Sequence, residues 1–400
     1  MHPAHAAPGG ADAKHHPLLR HRDGHHARVT FEELFFDLVY VFAVTQLSHQ
    51  LLHHLSVTGV IEVLILWFAV WLGWQYTCWV TNWFDPETPR IRGLIFACML
   101  LGLVMASSIP QAFGARGMVF ALSYVAIQVG RTAFIALQLP SKHALASNYR
   151  RMLVWLVISA VFWIAGALAE HEMRALLWLI AVVCEYGAPM VGFAIPGMGR
   201  SNTRDWTIEG GHLAERCQLF VIVALGETLL ATGATLSDVE HWSSEVVQAL
   251  VATFLGTLAM WWLYFGTSSK DASEAIVRSD DPGRIGAYFH YVHAILVAGI
   301  IATAVGNDLV LAHPHAMPTA AQVAVLLLGP AIYLLGSAVY KTVVYGGVAV
   351  SHIAGAVMLL ALVPVGLAGS MLTMGWLTTA VVLVVSIWET KLLRRRRGAG

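Results

Sequence analysis

Charge is scarce in this chain. Only 12% of its 400 residues are Asp, Glu, Lys or Arg, and 57% are hydrophobic. A soluble domain carries about 25% charged residues, so a soluble globular protein is excluded. The charge present is balanced, 24 basic against 24 acidic residues, which removes the electrostatic basis for nucleic-acid binding. Cysteine is limited to Cys78, Cys98, Cys184 and Cys217, all within apolar stretches and none in a CxxC pair. Neither a disulfide framework nor a metal site is expected of them; they read as small core residues. HExxH, a Cys/His metal set and a nucleophile elbow are all missing, and no loop is long enough to house a soluble catalytic domain. No cofactor is expected, and the balance tips away from an enzyme.

The first thirty residues lack an apolar core, so they are not a cleavable signal peptide. The first hydrophobic run must itself direct insertion. This tail is rich in histidine: His2, His5, His15, His16, His21, His25 and His26. Such a tract is either a disordered, solvated terminus or a binder of transition metals.

What the chain has in abundance is apolar runs of membrane-crossing length. Twelve recur, at 34–53, 58–82, 92–110, 117–138, 151–169, 175–195, 213–233, 245–266, 286–306, 319–340, 347–367 and 371–390. A hydrocarbon core of about 30 Å needs roughly 20 helical residues, so the fold expected is an all-α transmembrane bundle of about twelve helices. Basic residues collect in alternate gaps. Twenty of the 24 Lys and Arg fall on the side of the N-terminus, two (Arg116 and Arg174) on the other, and Arg131 and Arg216 lie inside runs. The positive-inside rule then places both termini in the cytoplasm of a bacterial inner membrane. Asp308, His313 and His315 are expected in an exterior loop.

The runs look duplicated. Asp85-Pro86 and Arg90-Ile91 precede the third run, and Asp281-Pro282-Gly283-Arg284-Ile285 precedes the ninth. The second run ends in Trp71-Leu72-Gly73-Trp74-Gln75-Tyr76 and the eighth in Trp261-Trp262-Leu263-Tyr264-Phe265. The division expected is a tail at 1–30, six-helix halves at 31–200 and 201–391 related by an axis along the membrane normal, and a basic tail at 392–400.

A charge at the centre of a membrane helix costs about 2.5–3.5 kcal/mol, so intramembrane charges face the bundle interior and seek partners. Glu33 and Asp37 stand four residues apart on one face of the first run, and Ser48 returns to that face about 16 Å further on. Arg131 and Arg216 are the cations at the depth of these acids and of Glu185 and Glu215. Glu227 lies about 18 Å beyond Glu215 along its helix, where no counter-charge is evident. Asp37, Glu227, Glu33 and Glu215 are therefore the candidates for binding an ion or solute, balanced by Arg131 and Arg216. Glu185, His290 and His293 are secondary candidates. Each has a plain structural reading beside it: an interhelical clamp for the acids, a hydrogen-bonded core pair for the histidines. Trp67, Trp71 and Trp74 read as packing or interfacial anchors before they read as a ligand box. Thr228, Thr232 and Thr235 read as back-bonded hydroxyls.

Two stretches carry a family resemblance. Glu33-Leu34-Phe35-Phe36-Asp37-Leu38-Val39-Tyr40-Val41-Phe42-Ala43 resembles the opening motif of the bacterial low temperature requirement A family, with Tyr40 in place of a commoner Phe. Ala214-Glu215-Arg216-Cys217-Gln218-Leu219-Phe220, continuing to Leu225-Gly226-Glu227, is similar to its second motif. The resemblance spans residues 30 to 390. It implies a multi-pass bacterial membrane protein linked by name to growth in the cold, and no particular molecular activity. Phe36-Asp37, followed by Val39, Ala43-Val44-Thr45 and Leu47, also resembles the Phe-Ser-Asp helix of six-helix-repeat potassium channels, where the first helix of each repeat lines the pore. Here those helices would be the first and seventh.

The function expected is transport of a small ion or polar solute. The alternatives left open are a membrane-embedded enzyme or lipid-handling protein at the cytoplasmic leaflet, and a non-catalytic sensor or scaffold. The partners expected are the lipid bilayer and that ion or solute, with a homo-oligomer left open.

Overall fold

The structure is a computed structural model that describes residues 16–21, 27–203, 206, 208–267 and 281–398. Most of the His-rich tail lies outside the described residues. The described residues are helical, joined by short connections. In chain order the long elements are α1 (Phe31–His53), α2 (Val57–Trp83), α3 (Pro89–Ser108), α4 (Gly117–Gln138), α5 (Ala144–Leu168), α6 (His171–Met190) and α7 (Gly210–Ser237). They continue as α8 (Ser244–Gly266), α9 (Pro282–Ala312), α10 (Ala320–Tyr345), α11 (Val350–Ala361) and α12 (Met371–Gly398).

Among the described residues, ten of these helices are long and apolar enough to cross a bilayer. The runs had suggested twelve. α1 has the length, at 23 residues, but its polar side chains keep it out of the ten. The 347–367 run breaks at Leu362 into the 12-residue α11 and a four-residue turn, Val363–Gly366, with Pro364 in it. Pro cannot donate to the preceding turn, so it interrupts the helix there.

Several helices outrun their apolar stretches. α9 continues to Ala312, so Asp308 lies in a helix rather than in an exterior loop. α10 reaches Tyr345 and carries Lys341 within it, buried. Two helices contain single π-turns, Ala126–Gly130 just before Arg131 in α4 and Trp262–Gly266 at the end of α8.

Six helix contacts recur in order in the two halves of the chain, and the second half adds α8 on α9 and both α9 and α10 on α12. α1 packs on α2 and α3, α2 on α6, α3 on α4, α4 on α5 and α5 on α6. Six helices later α7 packs on α8 and α9, α8 on α12, α9 on α10, α10 on α11 and α11 on α12. The two sets of six meet where α1 and α2 cross α7 and α9. Small residues permit the closest crossing, α9 on α10. A Cβ on Gly299 would lie 2.4 Å from the Tyr333 nitrogen, and one on Gly329 2.7 Å from that of Thr303. Lipid is as apolar as leucine, so close packing and interhelical hydrogen bonds must hold such a bundle together.

Candidate functional site

The polar centre of the molecule begins with two helix caps. Thr30 and Glu33 form a capping box at the start of α1: Glu33 N donates to Thr30 Oγ1 (3.4 Å) and Thr30 N to Glu33 Oε2 (2.9 Å). That fixes the Glu33 carboxylate beside the helix and sets Asp37 one turn on. Glu209 caps α7 by accepting from Gly211 N (3.1 Å) and His212 N (2.5 Å), which sets His212 and Arg216 one turn apart on the face that meets α1.

At the crossing, Arg216 Nη1 donates to Glu33 Oε1 (2.9 Å) and Nη2 to Asp37 Oδ1 (2.5 Å). Trp74 Nε1 of α2 donates to the same Asp37 oxygen (2.7 Å), and Asp37 Oδ2 has no partner. His212 Nε2 sits 2.8 Å from Glu33 Oε1. Its Nδ1 lies 3.1 Å from Asn82 Nδ2, and Asn82 is oriented by accepting Glu209 N and donating to Glu209 O. This network makes His212 the neutral tautomer that donates from Nε2 and accepts at Nδ1. A second guanidinium comes from outside the helices. Residues 18–20 run along Trp83–Asp85 through backbone bonds, bringing Arg20 Nη2 to 2.8 Å from Glu33 Oε2. Two carboxylates thus meet two guanidiniums around a neutral imidazole, all but Arg20 closed from solvent.

Of the two arginines expected to balance the acids, only Arg216 reaches Asp37. Arg131 is held by α2 and its own helix, donating from Nη1 to Gly73 O (3.0 Å) and Thr77 Oγ1 (2.9 Å) and from Nη2 to Gln128 Oε1. Its guanidinium lies over the Tyr76 ring. From there the chain of hydrogen bonds runs to Glu185. Gln128 Nε2 donates to Tyr124 OH (3.0 Å), and Tyr124 OH donates to Glu185 Oε2. Glu185 Oε1 accepts from Ser159 Oγ (2.5 Å) and Trp163 Nε1 (3.0 Å). Gly73 of α2 faces tyrosines of both α1 and α4. A Cβ there would sit 3.1 Å from Tyr40 OH and 3.8 Å from Tyr124.

Glu227 is buried on the same α1–α7 interface, further from the caps. Thr45 Oγ1 donates to its Oε2 (2.5 Å), Ser48 hydrogen-bonds it too, and His49 and Asp308 interact with it electrostatically. No Lys or Arg pairs with it among the described residues. Asp308 accepts from Thr235 Oγ1. Thr228 and Thr232 are back-bonded to Leu225 O and Thr228 O, both at 2.7 Å.

The remaining candidates divide. Glu215 is half-buried. His293 donates from Nδ1 to Phe289 O (2.6 Å) and accepts at Nε2 from Tyr264 OH (2.6 Å). His290 donates to Gly286 O (2.9 Å), while its Nε2 has no partner. The tryptophan stripe is interior packing on Phe220 and not an interfacial belt.

One buried cluster gave no signal in the sequence. Lys341 Nζ of α10 pairs with Glu389 Oε2 of α12 (2.6 Å), and Ser351 Oγ and His352 Nδ1 of α11 gather at Glu389 Oε1. Lys341 falls just past the 319–340 run and Glu389 at the end of the 371–390 run, so neither stood out as an intramembrane charge. Among the described residues no group of three or more His, Cys, Asp or Glu side chains is placed to hold a metal ion.

Comparison with known proteins matches these features to a family. Residues 28–387 fit the family described as bacterial low temperature requirement A protein. The chain is 38% identical over 397 residues to a protein of Rhizobium meliloti (strain 1021) named "Uncharacterized protein RA0937", covering 98% of this chain and 96% of the relative. No solved structure matches the chain. With its many apolar helices and a match over nine-tenths of its length, the chain belongs to the bacterial low temperature requirement A family of multi-pass membrane proteins.

Proposed function

We propose that this protein moves a small cation or proton across the membrane along the interface of α1 and α7. The observation that carries this reading is the buried carboxylate of Glu227, which is matched by hydroxyls and, among the described residues, by no Lys or Arg. A charge-balanced pair can be a clamp. An acid held by Thr45 and Ser48 at a depth where a charge is expensive is suited to take up and release a positive charge. Two further carboxyl groups extend the same line. Asp37, with one unpartnered oxygen, lies toward the caps, and Asp308 lies on the other side of Glu227, bound to Thr235.

From Glu33 to Ser48 the helical rise is about 22 Å, and from Arg216 to Thr235 about 28 Å. Polar groups therefore recur along most of a bilayer's thickness. Between them Tyr40, Val44, Phe220 and Ala224 are fully buried, so the path is closed in this conformation.

In this reading α1 and α11 also cross, giving twelve spans with both termini in the cytoplasm, as the basic residues require. The paired packing scheme supports two parallel six-helix repeats. The Glu33–Asp37–Arg216–Arg20 group, balanced in charge and closed, is read as the lock between the repeats. The same feature favours a second reading, a scaffold without transport, in which Glu227 only tethers α7 to α1. Flux measurements on the purified protein in liposomes, scanned over K⁺, Na⁺, H⁺ and anions, separate the two. Cation- or proton-selective flux supports the proposal, and tight vesicles under every gradient support the scaffold.

A further inference from the structure

A groove of about 540 Å³ runs down the outside of the bundle between α8 and α12. We infer that it is a binding site for an anionic phospholipid, with the acyl chain along the apolar groove and the phosphate held by Lys391 and Arg394. These two side chains are three residues apart, hence on one face of α12, and both are exposed at the end of the groove. Among the described residues they are its only charged lining residues.

The rest of the lining is committed or apolar. Ser386 donates to Ala259 O (3.2 Å) and Val382 O (2.9 Å), and Thr390 donates to Ser386 O (2.8 Å) while accepting from Trp262 Nε1 (2.8 Å). Leu258, Leu383 and Ile387 supply the apolar wall. From Leu383 to Arg394 the helix rises about 16 Å, apolar for most of that length and basic at its end. That is the polarity profile of a lipid seen from the side.

Trp261 and Trp262, 38% and 42% exposed, lie at the π-turn that ends α8. Tryptophan favours the headgroup level, so the phosphate and the two cations are expected at one depth. Basic pockets between membrane helices are a recurrent means of holding anionic headgroups. A twofold copy of the chain seated here would instead set Lys391 and Arg394 against their own images.

The test uses the full chain, delipidated in detergent and offered phosphatidylglycerol and phosphatidylcholine in competition, with bound lipid read by native mass spectrometry. Wild type should retain phosphatidylglycerol over phosphatidylcholine by on the order of tenfold. The double substitution Lys391→Gln with Arg394→Gln should abolish that preference. Ile387→Trp fills the groove and leaves both charges, so it should lower retention of both lipids. Arg150→Gln removes an exposed basic residue elsewhere, bonded to Ser141, and should change nothing. Four results would overturn the site: equal retention of the two lipids by wild type, a preference that survives the double substitution, displacement of bound phosphatidylglycerol by inorganic phosphate alone, or efficient copy-to-copy cross-linking through Ile387→Cys.

Discussion

Arg216 neutralises two acids with one planar group. Its two terminal nitrogens reach Glu33 and Asp37 separately, which a lysine ammonium could not reproduce with the same geometry. Removing one partner of a buried pair strands the others, at a cost of about 3–5 kcal/mol. Arg216→Gln should therefore sharply lower the unfolding temperature in detergent, and adding Asp37→Asn should recover much of the loss. A single variant as stable as wild type would refute the lock. That Asp37 meets an arginine was legible in the sequence, because two acids one turn apart in an apolar run demand a cation at their depth; which of Arg131 and Arg216 it would be was not. His212 and Asn82 were not legible, since a histidine and an asparagine at helix ends look like caps. Arg20 was hidden more thoroughly, because nothing in a polar tail shows that it folds back along Phe84. Glu227 was legible by depth alone, and the hydroxyls that meet it were not.

At the scale of the element, α9 and α10 show how a crossing is set by what is small. Gly299 and Gly329 let the two backbones touch, so Gly329→Leu must push α10 away from Thr303. Overpacking of this kind typically costs about 1–3 kcal/mol. We expect Gly329→Leu to lower thermal stability in detergent, while Gly93→Leu, at a glycine with open space around it, stays near wild type. Equal effects at the two sites would mean that the close approach is unimportant. Hydropathy marked nearly every helix but placed the ends poorly. The ends of α9, α10 and α12 are polar residues whose partners lie on other helices, Asp308 with Thr235 and Lys341 with Glu389. A running average of one segment cannot contain that information.

Across the whole molecule, the repeated packing scheme and the one-sided basic residues belong to a single account. The proposed pair of six-helix units of one orientation would keep both termini on one side. Reporter fusions after Gly400 and within 234–244 should report opposite sides of the membrane, and agreement between them would rule out twelve crossings. In the proposed repeat the glutamates of α6 and α12 would be counterparts. Glu185 accepts from Ser159 of α5 and Tyr124 of α4, and Glu389 accepts from Ser351 of α11 and Lys341 of α10. In the sequence the proposed repeat rests on loop motifs such as Asp85-Pro86 and Asp281-Pro282 and on the aromatic ends of the second and eighth runs.

Everything proposed about function converges on one carboxylate. Glu227→Gln keeps the size of the side chain and its bond to Thr45, and removes only the charge. Reconstituted at matched density after passing the same unfolding test as wild type, this variant should lose the cation or proton flux that wild type carries in liposomes. A folded Glu227→Gln protein that conducts as wild type does would contradict the account.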